Sequence, residues 1–95
     1  MTLEAITIDT FRPRLNEIFA LTGPGPAIDL VLTHVEDLGN GNARQAFSLI
    51  FAAPPQPMKP QAIYRLDNPA TGPLDLFLVP LGPEKGVFRY QAVFN

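Results

Sequence analysis

The sequence contains no cysteine. Disulfides, cysteine-ligated zinc and a thiol nucleophile are excluded, and the small secreted domains that need covalent staples are disfavoured. Histidine occurs once, at His34. Charge is sparse as well: 17% of residues are charged and the net charge is −2 at pH 7, so little of the surface is guarded against association. The basic residues are scattered, and the one close pair, Arg12 and Arg14, brackets a proline. The clustered positive field that displaces counterions from nucleic acid is missing. No stretch reaches the ~18 apolar residues of a membrane helix. The opening MTLEAITIDT has neither a basic start nor an apolar run of signal-peptide length. The expectation is a cytoplasmic chain, free or built into a larger assembly, with no nucleic-acid or membrane partner.

Long helices are missing too. All seven glycines and nine of the eleven prolines gather in clusters between the apolar runs: TGPGPA (22–27), GNGN (39–42), APPQPMKP (53–60), NPATGP (68–73) and GPEKG (82–86). Proline fixes φ and lacks a donor, and glycine permits φ > 0, so these clusters punctuate the chain as turns. The runs between them alternate with the period of two that strands require. Ile28, Leu30 and Leu32 share one side. So do Phe47, Leu49 and Phe51; Tyr64 and Leu66; Leu74, Leu76 and Leu78; and Phe88, Tyr90, Ala92 and Phe94. A sixth strand is expected near Ile18 to Leu21. Asn40-Gly41 suits the bend of a hairpin or longer loop, and GPEKG a hairpin between the last two strands.

The 95 residues fit one domain. The pattern predicts an all-β fold, a single small antiparallel sandwich or partly open barrel of about six strands over residues 16–95. Residues 1–15 fit neither period and read as an arm or short helical turn lying across the sheet. Thr2 and Asp9 are the candidate caps, and Pro13 limits any helix there. No internal repeat is evident.

Catalytic groupings are scarce. His34 is followed by Glu36 and Asp37, but a common metal site asks for further ligands and no second histidine supplies one. Ser48 lies mid-strand in AFSLIF without the elbow that exposes a nucleophile. TGPGPA has glycines, yet its prolines remove N–H donors that would cradle a phosphate. APPQPMKP could be read by a groove for polyproline segments, although a stiff loop between strands explains it more simply. No catalytic, cofactor or metal residue is assigned, and the chain is expected not to be an enzyme. Phe47, Phe51, Tyr64, Phe88 and Tyr90 could line a pocket for a small apolar ligand, or simply be core.

One feature invites a functional reading. A strand exposed on one side should read apolar-in, polar-out. The run LDLFLVPL instead carries Phe77, Val79 and Leu81 opposite its leucines, and the neighbouring runs carry Ile50 and Val93 opposite their core sets. Two readings compete: the N-terminal arm or a second sheet covers this face, or Ile50, Phe77, Val79 and Val93 form an interface. The second implies a protein partner or self-association into a homo-oligomer.

Several segments carry a resemblance: FRPRLNEIFAL (11–21), AFSLIFAAP (46–54), QAIYRLDNPATGPLDLFLVPLG (61–82) and YQAVFN (90–95). The chain resembles a family of small bacterial proteins known only as a domain of unknown function, over nearly its whole length. The resemblance implies a β-rich fold and no defined activity. It also implies encoding near phage-tail-collar-like proteins, hence an accessory or assembly role in a tail-like or appendage system. In that family a glycine is expected after Leu15, where this sequence has Asn16. The resulting expectation is a non-enzymatic structural or protein-interaction module, with a small apolar-ligand-binding β-barrel as the alternative.

Overall fold

The computed structural model describes residues 7–22, 27–40, 45–54 and 59–94. A four-residue helix α1 (Ile8–Phe11) runs into a 3-10 turn (Arg12–Arg14), and six strands follow: β1 (Ile18–Thr22), β2 (Ile28–Asn40), β3 (Gln45–Ala53), β4 (Ala62–Asn68), β5 (Gly72–Glu84) and β6 (Val87–Phe94). The all-β antiparallel fold is what the alternating runs predict. The sheet goes further than a partly open barrel, however. Its order is β1-β2-β3-β6-β5-β4 with β4 paired back to β1, a closed ring. Closure leaves no unpaired edge between strands.

The inward sets are those the period of two selects. Leu30, Leu32, Leu49, Phe51, Leu66 and Leu78 are fully buried, with Phe47, Leu76, Tyr90 and Ala92 beside them. A ring of six strands is narrower than the eight-stranded barrels whose interior just holds side chains or one small ligand. Here side chains fill it from both ends. At one end Phe47 stacks on Phe94 (centroids 4.5 Å apart, 11° between planes), and farther in Phe19 meets Phe51 edge-on at 5.5 Å.

The first fifteen residues do not lie across the sheet as an arm, to the extent that they are described. Ile8 and Phe11 are buried, and the Phe11 ring packs 5.8–6.3 Å from those of Phe19, Phe47 and Phe94. The helical turn is a plug in one end of the ring. Its N-cap is Thr7, whose N–H donates to Thr10 Oγ1 at 3.1 Å. Asp9 sits within the first turn instead of capping it, and Thr2 lies outside the described residues. Pro13 stops the α-helix after one turn, since the chain continues as 3-10 and then turns.

Asn16 explains why glycine was expected there. Its φ is +71°, a left-handed conformation that asparagine tolerates better than other side-chain-bearing residues, and its N–H donates to Leu32 O at 2.7 Å. The β5–β6 hairpin turns on Lys85 and Gly86, both at positive φ (51° and 84°) between the paired Glu84 and Val87. Two positive φ values are the mark of the tight turn whose twist matches its strands. The Asn40-Gly41 bend precedes Gln45, which pairs with Asn40; the turn itself lies outside the described residues. Asn68 ties β4 to the start of β1. Its Nδ2 donates to Glu17 Oε1 and Ile18 O, and its Oδ1 accepts from the N–H groups of Ala70 and Thr71. A buried amide so placed leaves little of its hydrogen-bonding capacity unmet.

The pairing reveals a repeat that residue identity conceals. Exchanging β1-β2-β3 with β4-β5-β6 reproduces every pairing in the ring. Asp37↔Phe47 and Gly39↔Ala46 become Pro80↔Tyr90 and Gly82↔Arg89, with Leu38 and Leu81 as the bulged residues between them. Both bulges are followed by a glycine at positive φ, 98° at Gly39 and 101° at Gly82. Ile18↔Val31 likewise becomes Arg65↔Asp75. The extra bulge between Leu32 and His34 and a longer β1–β2 turn account for the changes in spacing.

Candidate functional site

With the interior filled, the outer face carries what remains to be explained. On β5, Leu76 and Leu78 are buried, so Phe77 and Val79 point outward; on β6, buried Ala92 turns Val93 outward; on β3, buried Leu49 and Phe51 turn Ile50 outward. Register makes these neighbours. Ile50 pairs with Gln91, and Gln91 pairs with Val79. Ser48 pairs with Val93. Ile63 on β4 pairs with Phe77. The four residues singled out from the sequence therefore lie on one continuous face of three adjacent strands.

They are not equally open. Phe77 and Val93 are 52% and 50% exposed, whereas Ile50 and Val79 are half-buried among their neighbours. Two residues left out of the sequence-derived set join the face. Ile63 is 69% exposed beside Phe77, and Leu81 is exposed two residues beyond Val79. The signal for both was present in the sequence, as an apolar residue on the polar side of an alternating strand.

The expectation that an arm or second sheet covers this face is corrected for the described residues. No second sheet exists among them, because all six strands belong to one ring. From Thr7 onward the N-terminal residues turn into the end of the ring; residues 1–6 lie outside the description. The rim of the face is polar and balanced. Arg65 Nε lies 3.6 Å from Asp75 Oδ1, and Arg89 pairs with Glu84. Beyond β3, the corresponding positions of β2 are His34 and Glu36, both exposed.

The residues considered for chemistry are dispersed or engaged. His34 sits next to a β2 bulge, with its Nδ1 2.9 Å from Thr33 Oγ1. Asp37 Oδ1 accepts from the Gly39 N–H at 2.7 Å, and Oδ2 lies 3.9 Å from Arg12. Ser48 is buried in mid-strand. Among the described residues no group of three or more His, Asp or Glu side chains is placed to hold a metal ion. The aromatic set considered for a ligand is split: Phe47 belongs to the plugged end, while Phe51, Tyr90 and Phe88 face the other, Phe51↔Tyr90 and Ala53↔Phe88 being paired. There the chain's own backbone meets both tyrosine hydroxyls. The Lys59 N–H donates to Tyr90 Oη at 3.0 Å, and Tyr64 Oη donates to Pro60 O at 2.5 Å.

Burial, and secondarily the neighbouring Tyr90, raises the Tyr64 hydroxyl above its ordinary value of 10.0. An acid whose folded pKa is raised contributes stability that is intact below its unfolded pKa and is lost as pH rises through the folded one. The Tyr64 hydroxyl should therefore add no pH dependence to the midpoint of urea unfolding near neutrality and should make it fall above pH 10. In Tyr64→Phe that alkaline fall should be shallower than in the wild type. Identical alkaline slopes for the two proteins would refute the assignment.

A family model described as "Domain of unknown function (DUF6916)" matches residues 6–94. No curated protein and no solved structure matches the chain.

Proposed function

We propose, starting from the premise that the chain belongs to the DUF6916 family, that it is a non-enzymatic protein-interaction module working through the outer face of β3, β6 and β5. The observation that carries this reading is the exposure of Phe77, Val93 and Ile63 on adjacent strands of a ring whose interior is already filled. Isolated exposed apolar residues are ordinary, whereas contiguous ones on one face mark interaction sites. The sequence-level resemblance adds a setting, an accessory or assembly role in a tail-like or appendage system, as part of the same proposal. The first partner to test is a second copy of the chain.

The second reading, a carrier of a small apolar molecule, draws on the aromatic end of the ring. Two observations weigh against it: the six-stranded interior is occupied by buried side chains, and both tyrosine hydroxyls at that end are spent on the backbone. A stoichiometric apolar molecule copurifying in native mass spectrometry would favour this second reading.

Light scattering coupled to size exclusion, run as a concentration series on the wild type and on Phe77→Asp/Val79→Asp, tests the first reading. The wild type is expected to gain mass with concentration, and the charged variant to stay monomeric. Because Phe77 is half exposed, the variant should remain folded with only a modest loss of stability. Association unchanged by the two charges would reject the face as the interface, and so would unfolding of the variant.

A further inference from the structure

Only two of the ring's pairings, β3–β6 and β1–β4, join the first three strands to the last three. The two halves are interchangeable in register, and the β3–β6 seam is symmetric about its own centre. Around Leu49↔Ala92 the exchange turns Phe47↔Phe94 into Tyr90↔Phe51, both aromatic pairs. In the β1–β4 seam the exchange returns Ala20↔Asp67 to itself, while Leu21↔Leu66 and Thr22↔Arg65 are paired on one side of it only. One covalent connection, residues 54–61, links the halves. It runs between β3 and β4, which stand three places apart in the ring of six and so on opposite sides.

We infer that the β3–β6 and β1–β4 seams can be closed by a second copy of this chain as well as within one copy, two copies then exchanging halves to build two rings. Such an exchange keeps every strand pairing and every buried side chain. It differs from the monomer only at the connection and in the entropy of association. The connection is therefore what decides between the two states. Six strands spaced ~4.8 Å apart and tilted ~40° make a ring about 12 Å across. Eight residues, nine Cα steps from Ala53 to Ala62, reach roughly 30 Å when extended, enough to cross within one copy. The backbone of Lys59 and Pro60 is also tethered to Tyr90 and Tyr64 of the chain's own strands. A connection of two residues reaches only about 10 Å, which leaves exchange as the way to keep both seams. The inference rests on strand pairing and not on the outer-face reading, although the outer face of β3, β6 and β5 straddles the β3–β6 seam.

The chain's lack of cysteine gives a clean test. Ala20 and Asp67 are directly opposed across the β1–β4 seam, away from the outer face of β3, β6 and β5, and directly opposed residues lie within disulfide range. The pair Ala20→Cys/Asp67→Cys is placed in the full chain and in a chain lacking residues 55–60. With the connection intact, oxidation should close the disulfide within one chain. With it shortened, light scattering should report twice the monomer mass, and a non-reducing gel a covalent dimer. A shortened chain that stays a folded monomer overturns the inference. So does a dimer whose disulfides are all within single chains, which would be face-to-face packing without exchange.

Should the shortened chain fail to fold, complementation decides with the connection intact. Leu30→Asp disables the first half and Leu76→Asp the second. Refolded together, the two variants should recover up to half of the wild-type strand signal and a cooperative melt, from rings built of the two sound halves. Refolded separately they should recover neither. No recovery on mixing overturns the inference.

Discussion

Replacing Phe11 with alanine is expected to cost about 3–5 kcal/mol of unfolding free energy. The sequence places this residue in a stretch without strand or helix period, where a large effect would not be anticipated. The structure buries it completely and sets its ring against Phe19, Phe47 and Phe94, contributed by β1, β3 and β6. Truncation removes contacts to three strands at once and leaves a cavity at the mouth of the ring. The helix that carries Phe11 is one turn long and cannot hold itself by hydrogen bonding, so packing of Phe11 and Ile8 is what fixes it. Against a total stability of ~5–15 kcal/mol, the urea midpoint should fall steeply while the m-value stays near its wild-type size. A loss under about 1 kcal/mol would mean that the helical turn is an appendage and the ring closes without it.

Deleting residues 92–95 should have the largest effect of any short truncation. Ala92, Val93 and Phe94 supply the β6 side of the pairings with Leu49, Ser48 and Phe47. Their loss removes one end of the seam that closes the ring, together with the stacked Phe47–Phe94 pair and the Phe94 contact to Phe11. Burying a phenylalanine contributes ~1.5–3 kcal/mol by transfer alone, less the part of Phe94 that stays exposed, and an opened ring adds unpaired backbone at β3. Thermal unfolding followed by far-UV circular dichroism should lose its cooperative transition. A sharp melt at the wild-type midpoint would show that the ring does not depend on this seam.

The legible parts of the fold are those written in local alternation. Leu74, Leu76 and Leu78 name the inner face of β5 without reference to any other strand, and GPEKG names its hairpin through residues that accept positive φ. Closure could not be read the same way. It rests on β1–β4 and β3–β6, which join residues 35 to 47 apart in sequence, and no local pattern encodes which strands meet. The internal repeat escaped for a related reason. The exchange of halves equates Phe47 with Tyr90 and Leu49 with Ala92 at inward positions, where an apolar or aromatic residue of suitable size suffices. At outward positions it equates His34 with Phe77 and Glu36 with Val79, which share nothing. What repeats is register, bulge and turn.

That same comparison sharpens the candidate site. At two equivalent outer positions β2 is polar (His34, Glu36) where β5 is apolar (Phe77, Val79), so the fold itself does not demand apolar residues there. Phe77 and Val79 were legible as an anomaly because β5 alternates so cleanly on its other side. Ile63 was less visible, since a single apolar residue on the polar side of a short strand is a weak signal until register sets it beside Phe77.

The most direct test of the outer-face assignment is a dilution series of two-dimensional amide NMR spectra. If β3, β6 and β5 present the interface, the concentration-dependent shifts should centre on Ile50, Phe77, Val79, Gln91 and Val93 and extend to Ile63. The amides of His34 and Glu36 on the polar side of the ring should hold still. Shifts centred on β2, or spectra that superimpose at every concentration, would contradict self-association through this face.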